Sequence, residues 1–330
     1  MVRTSRAPRV IVITGASSGI GLATARAAAR RRDHVVLAAR SVAGLERAAT
    51  DCRALGGEAL VVPTDVSRAG DVAQLAAAAV AHFGAIDAWV NNAGVAAFGR
   101  FEELPPADVE RVIATNVTGY AWGSQEAIRC FRRQGHGTLV NVASANGRIA
   151  SPFTTAYVLT KFANLGLTQS LRLELDDEPD IHVCGVLPAS VDTPLYQHAA
   201  NYTGRSIGPA GPAFSPDRVA DAVLRCIDDG RREVKVGWTG VLAQVLQQVS
   251  GPLYERGASL VFPPSYARRG DVAPHAGNLH APGPPTAQAV GGWARDPGLP
   301  VSRRVLGIAT AATGVVAAIA TALGSRRRAR

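Results

Sequence analysis

From residue 9 to about 237 the chain alternates short aliphatic runs with longer alanine-rich stretches, and few folds fit that pattern. The short runs are RVIVIT (9–14), HVVLAA (34–39), EALVVP (58–63), IDAWVN (86–91), GTLVNVA (137–143), IHVCGVL (181–187) and EVKVGW (233–238). Most are apolar on successive residues rather than on alternate ones, which reads as strands buried on both faces. Between them lie segments of helical length such as GLATARAAARRR and AGDVAQLAAAAVAHF. This alternation predicts an α/β fold, a doubly wound seven-stranded parallel sheet with helices on both sides. At 330 residues the chain is long enough for one such domain with extensions.

The formal charge of +9 raises the question of a nucleic-acid partner. Its position answers it: Arg3, Arg6 and Arg9 at one end and six arginines from 303 onward account for the whole excess, leaving residues 10–302 formally neutral. A neutral body lacks the basic face that phosphate-backbone binding requires, so no nucleic acid is expected. Cys52, Cys130, Cys184 and Cys226 show no metal-ligand spacing and read as buried free thiols, with no metal site. No secretory leader is expected, because Arg3 to Arg9 run directly into VIVITG, too short and too quickly broken by glycine.

TGASSGIG (14–21) follows the first strand and opens the first helix. Glycines there let the backbone turn sharply and approach a pyrophosphate, whose charge the helix N-terminus can hold. Together with NNAG (91–94), Ser144 and YxxxK (157–161), in that order, the TGxxxGxG spacing resembles the short-chain dehydrogenase/reductase family over roughly residues 8–240. The resemblance implies a Rossmann-type sheet of order 3-2-1-4-5-6-7 that binds a nicotinamide cofactor at its switch point. It implies that Gly15, Ser17, Ser18, Gly19, Ile20 and Gly21 cradle the cofactor, that Asp65 and Val66 flank the adenine, and that Asn91 to Gly94, with Asn92 and Ala93 between, line the cleft. In LPASVDTP (187–194), Pro188, Val191 and Thr193 would fix the nicotinamide, with Ala189 replacing the family's usual glycine. Other readings stay open: Asp65 can cap the helix beginning near Arg68, and NNAG can be a plain turn.

The resemblance also implies a catalytic tetrad of Asn116, Ser144, Tyr157 and Lys161, the last two touching the cofactor as well. Tyr157 and Lys161 stand at i and i+4 on one helix face. Reducing a carbonyl needs a proton at oxygen, and a tyrosine, ordinarily near pKa 10, gives or takes one near neutrality only if a neighbouring ammonium favours the phenolate. Ser144 would hold the substrate oxygen as an oriented donor, and Asn116 would position a water in the relay to Lys161. After the second strand, Ala39 stands where an NAD-type acid would sit and Arg40 follows, so NADP(H) is favoured over NAD(H) through a guanidinium grip on the 2′-phosphate. Arg40 as a solvated helix-flanking charge is the competing reading.

Residues 195–214 occupy the family's substrate lid, where Tyr196, Tyr202, Ile207 and Phe214 suggest an apolar pocket; His198 is as readily solvent-facing as catalytic. The expected activity is NADP(H)-dependent reduction of a ketone or aldehyde, or oxidation of a secondary alcohol, on a hydrophobic substrate. A silent NADP(H)-sensing protein on the same fold is the alternative, and sugar-nucleotide epimerisation is disfavoured by the glycine spacing. A homodimer or homotetramer is compatible with this reading.

Four segments are therefore expected: a basic tail (1–8), the Rossmann domain (9–240), a Pro/Gly-rich extension (241–302) and a terminal helix with a basic end (303–330). Val241, Leu242, Val245, Leu246 and Val249 mark one apolar helix face, expected to pack on the domain. Residues 250–300 hold nine prolines and eight glycines, which argues for an irregular arm without helix or strand. Residues 305–324 carry no charge and would span about 30 Å as a helix. Flanked by Arg303, Arg304 and Arg326 to Arg330, they are expected to attach a cytoplasmic catalytic domain to membrane lipid, against the competing reading of a soluble alanine-rich helix.

Overall fold

The computed structural model describes residues 7–283 and 288–293. Seven parallel strands form the central sheet: β1 (Val10–Thr14), β2 (His34–Ala39), β3 (Ala59–Pro63), β4 (Ala88–Asn91), β5 (Gly137–Val142), β6 (Ile181–Pro188) and β7 (Glu233–Val236). Their order is β3-β2-β1-β4-β5-β6-β7, as expected. The chain reverses its direction of travel across the sheet at β1 and β4, which pair through Ile11–Ala88, Val12–Trp89 and Ile13–Val90. A crevice opens beyond the carboxyl ends of strands at such a switch point.

Helices α1 (Gly19–Arg30), α2 (Val42–Ala54), α3 (Ala69–Phe83), α4 (Pro106–Ile113), α5 (Gly119–Gln134), α6 (Thr155–Glu174) and α7 (Pro216–Asp229) cover the two faces. Successive strand side chains feed opposite layers. Ile11, Ile13, Val35 and Leu37 pack with α1, α2 and α7, whereas Val10, Val12 and Val36 pack with residues of α3 and α5. The alanines of α1 have a direct use: Ala25, Ala28 and Ala29 are fully buried, small enough for helix and sheet to lie close. All four cysteines are free and buried, and no cluster able to hold a metal occurs among the described residues.

The extension departs from expectation. Helix α8 (Trp238–Val249) forms where the apolar stripe predicts it, but Val241 and Val249 remain exposed, and none of its residues is buried. Only its Ala243 and Leu246 join a small cluster with Ile149, Tyr254 and Ala258. Residues 251–266, expected to be irregular, form a second helix, α9 (Gly251–Tyr266), followed by a strand, Ala267–Asp271, that pairs antiparallel with Arg205–Ile207. Pro252 does not prevent the helix, because at its second position the missing N–H would have had no partner in any case. Tyr254, by donating its hydroxyl to Ala150 O at 2.6 Å, ties α9 to the domain. At 272–283 and 288–293 the chain is irregular, as its proline and glycine content predicts. Residues 305–324 and the basic tails at 1–6 and 326–330 lie outside the described residues; among those described, no helix is long and apolar enough to cross a membrane.

Candidate active site

The end of β1 is built for close approach. Gly15 (φ +68°) and Gly19 (φ +56°) take left-handed conformations, and a Cβ on Gly15 would lie 2.9 Å from Ala93 Cα. A Cβ on Gly21 would stand 2.3 Å from Gly15 O, so that glycine lets α1 close on the loop rather than facing a ligand itself. Thr14 Oγ1 accepts from Asn92 N (2.9 Å) and Ala93 N (3.1 Å) and donates to Val90 O, fastening the NNAG turn to the glycine loop. At the α1 N-terminus Gly19 N donates to Gln288 O at 3.0 Å. The Ile20 and Gly21 N–H groups have no acceptor among the described residues, which fits an anion at this end of the helix.

A cleft of about 1290 Å³, including its open mouth, runs from this loop across the sheet. Gly15, Ser17, Ser18, Gly19, Ile20, Arg40, Asp65, Val66, Asn92, Ala93, Gly94, Tyr157, Lys161 and Thr193 all line it. The structure thus brings together most of the residues assigned to the cofactor. Asn91 is an exception: its side chain turns into the core, accepting from Trp89 Nε1 (2.8 Å) and donating to Asn141 Oδ1 (2.9 Å). Strand alternation decides this, since the residue before the turn points into the layer under α5.

At the far end Asp65 and Arg40 do not meet a ligand alone. Asp65 Oδ1 accepts from Ser67 N and Oγ, while Oδ2 pairs with Arg111 at 2.7 Å. Burial pushes the Asp65 carboxyl up, but the hydrogen bonds from Arg111 and Ser67 outweigh it and hold the group below its ordinary value. The Ser67 bonds form a turn leading into α3, whose N-cap is Arg68. Asp65 therefore does not cap α3, which has no side-chain cap hydrogen bond; its carboxylate holds the turn before the helix instead. Arg40 donates to the carbonyl oxygens of Leu279 (2.8 Å) and Asn278 (2.5 Å), so it is no solvated flanking charge.

Lys161 is almost fully buried on α6, its Nζ donating to Val142 O at 3.1 Å and lying 5.4 Å from the Tyr157 ring centroid. Burial in this setting pulls its pKa down to about 7. Tyr120 donates its hydroxyl to the same Val142 O, and burial pushes its own pKa well up. Ser144, at the end of β5, accepts from Asn146 N at 3.1 Å, leaving its own proton for another acceptor. Asn116 sits in a π-helical turn, Ala114–Thr118, between α4 and α5, an irregularity frequent at functional sites. Its side chain exchanges hydrogen bonds with the Val95 backbone (both 2.9 Å) and donates to Thr160 Oγ1 (3.1 Å). It neighbours Lys161 through Thr160 and does not line the cleft.

A second cavity of about 940 Å³ adjoins the first, sharing Ile20, Ala143, Tyr157, Thr193 and Leu195 with it. Ser144, Pro188 and Val191 face this side, and among the described residues no Asp, Glu, Lys or Arg lines it.

Comparison with known proteins places this geometry. A family model described as short chain dehydrogenase matches residues 9–202. The chain belongs to the short-chain dehydrogenase family. An uncharacterized oxidoreductase of Bacillus subtilis, YxnA, is 37% identical over 234 residues, 69% of this chain and 65% of the relative, so the match spans less than two thirds of that protein. An alcohol dehydrogenase of the archaeon Thermococcus sibiricus, solved with 5-hydroxy-NADP, shares 33% identity at a TM-score of 0.60, covering 69% of this chain and 95% of its own. A short chain dehydrogenase/reductase of Burkholderia phymatum in complex with NAD shares 27% at 0.68, covering 74% and 95%.

Several residues of this short-chain dehydrogenase were not legible beforehand. Arg111, which gathers Asp65, Ser67 and Leu279 O, sits on a helix with no motif to mark it. Of the four apolar lid residues only Tyr196 lines the second cavity; Ile207 is buried in the lid itself, and Phe214 pairs with Val191. Tyr202 is drawn away by Asp108, which accepts its hydroxyl proton. Thr239, Gly240 and Ala243 of α8 and Phe262 of α9 join the wall beside Leu195 and Ala210 of the lid segment. His198 lines the first cleft, and burial pushes its pKa down, which keeps the ring neutral.

Proposed function

We propose that this oxidoreductase interconverts a ketone or aldehyde and the corresponding alcohol on an uncharged, apolar molecule, with NADP(H) as the hydride carrier. The carrying observation is the position of Tyr157 on the wall common to both cavities, one turn from buried Lys161. The glycine cradle and the unpartnered N–H groups of α1 fit a dinucleotide in the first cleft. When bound, the dinucleotide gives a hydride to the carbonyl carbon, or receives one. Tyr157 supplies the proton at oxygen, Ser144 donates a hydrogen bond to that oxygen, and charged Lys161 favours the phenolate that Tyr157 becomes. Asn116 holds the turn beside Thr160 and so positions the relay to Lys161.

The preference for NADP(H) rests on Ala39 and Arg40 at the end of β2 and on the pairing of Asp65, the nearest acid on the cleft wall, with Arg111. The relative solved with 5-hydroxy-NADP supports it, while the one solved with NAD shows that the fold serves both. The substrate class rests on the uncharged second cavity, where a carboxylate would be desolvated without a partner. Association with a second copy is supported by exposed Leu159, Phe162 and Leu173 on α6, and attachment to lipid by the sequence of 303–330 alone. The decisive experiment follows NADPH and NADH oxidation with a panel of hydrophobic ketones and keto acids. Faster turnover of neutral ketones with NADPH is expected; turnover of keto acids alone, or none with either dinucleotide, rejects the reading.

A further inference from the structure

Residues 272–283 and 288–293 lie outside the stretch that the family model matches, yet both reach the dinucleotide cleft. The first stretch is pinned by Leu279, fully buried among Val95, Leu104, Val112 and Ala156. Backbone hydrogen bonds run both ways between Asn201 and His275, and Asn278 N donates to His198 O at 2.8 Å. His280 Nε2 lies 2.7 Å from Asp108 Oδ1. The second stretch is latched by Asp192, whose Oδ1 accepts from Gly291 N (3.0 Å) and Trp293 N (2.9 Å), and by Trp293 Nε1 donating to Thr193 O.

Within this frame Asn278 stands beside Arg40, which its carbonyl oxygen helps to hold, and it lines the cleft with Pro282 and Gly283. Its side-chain Oδ1 is buried and has no hydrogen-bond partner among the described residues. Thr115 Oγ1, on the wall of the same cleft, is also without one. Buried polar atoms are rarely left unpaired, and those on residues lining a ligand cleft can reach a partner in the ligand by a side-chain rotation. Leu279, next in the chain and fully buried, fixes the backbone from which this amide projects.

We propose that Asn278 is a cofactor-binding residue supplied from outside the family's shared region. Its side-chain amide hydrogen-bonds the adenosine end of the dinucleotide next to Arg40, and the two stretches form the outer wall of that site. This deepens the NADP(H) reading and rests on it.

The test is fluorescence titration of the full chain with NADPH and with NADH, for the wild type, Asn278→Ala and Asn278→Asp. Asn278→Ala is expected to weaken both dinucleotides about tenfold, the loss of roughly one buried hydrogen bond. Asn278→Asp sets a carboxylate beside the 2′-phosphate position and is expected to weaken NADPH about tenfold more than NADH. A purely structural role would lower the two equally, so equal losses in Asn278→Asp, or none in Asn278→Ala, overturn the assignment. A wild type that binds neither dinucleotide overturns the NADP(H) reading and this one with it; a wild type that binds while both variants match it overturns only the role of Asn278. If the variants do not fold, hydrogen exchange on the wild type decides. The amides of Asn278, Gly291 and Trp293 are expected to exchange more slowly with saturating NADPH, and unchanged exchange rejects the outer wall.

Discussion

The glycine loop at 14–21 and the C-terminal stretch around Asn278 face the same cleft, but they are held there by different means. The loop is fixed by its neighbours in sequence: a strand ends, three glycines permit the turn, and a helix begins. The stretch around Asn278 has no regular structure of its own and takes its position from Arg40, Arg111, Asp108 and a buried pocket for Leu279. One wall is a local conformation that the rest of the fold accommodates. The other is a set of distant contacts, with Gly277 (φ +54°) supplying the close approach to His198 O.

That contrast can be broken at several points. Tyr157→Phe, on the local side, is expected to lower turnover by about 10²- to 10⁴-fold while leaving dinucleotide binding intact. Steady-state kinetics alongside fluorescence titration check this, and retained turnover would remove Tyr157 from the chemistry. Leu279→Ala, on the distant side, empties a fully buried site and is expected to cost about 2–4 kcal/mol in denaturant unfolding. If it costs nothing, the stretch is not anchored as described. Gly21→Ala forces a Cβ against Gly15 O and is expected to cost about 1–3 kcal/mol and to weaken dinucleotide binding, again read by melting and titration.

The acid–base group sharpens the comparison through pH. Lys161 titrates at about 7 in the folded chain, below its ordinary value of 10.5. Between those values the unfolded chain binds the extra proton, so this group's contribution to stability rises with pH across the window. Activity runs the other way: kcat/KM for carbonyl reduction is expected to fall up to about tenfold per pH unit above 7 as the ammonium is lost. A flat profile from pH 6 to 9 contradicts the role given to Lys161. The smallest effect belongs to Phe262→Ala, which widens the second cavity from its α9 side. A change of a few-fold, roughly 1 kcal/mol, in KM for bulky against small ketones is expected, and no change in their ratio removes α9 from the substrate site.

The sequence alone determined the alternation of buried strands and helices, the glycine cradle and the YxxxK pair, because each is written in a period or spacing that short-range sterics enforce, whereas the sheet order came from the resemblance those motifs carry. The helix Gly251–Tyr266 escaped it: Pro252 sits at the second position, where no N–H is needed, and Pro263 and Pro264 fall only in the last turn, so the count of prolines misjudged the ten residues between. The direction in which Asn91 points, the pairing of Asp65 with Arg111, and the part α8 and α9 take in the wall of the second cavity were decided in three dimensions. Arg40 shows the reason most clearly. Its identity could be read beside the second strand, but its partners lie 238 and 239 residues away, and no local pattern encodes a contact across that distance.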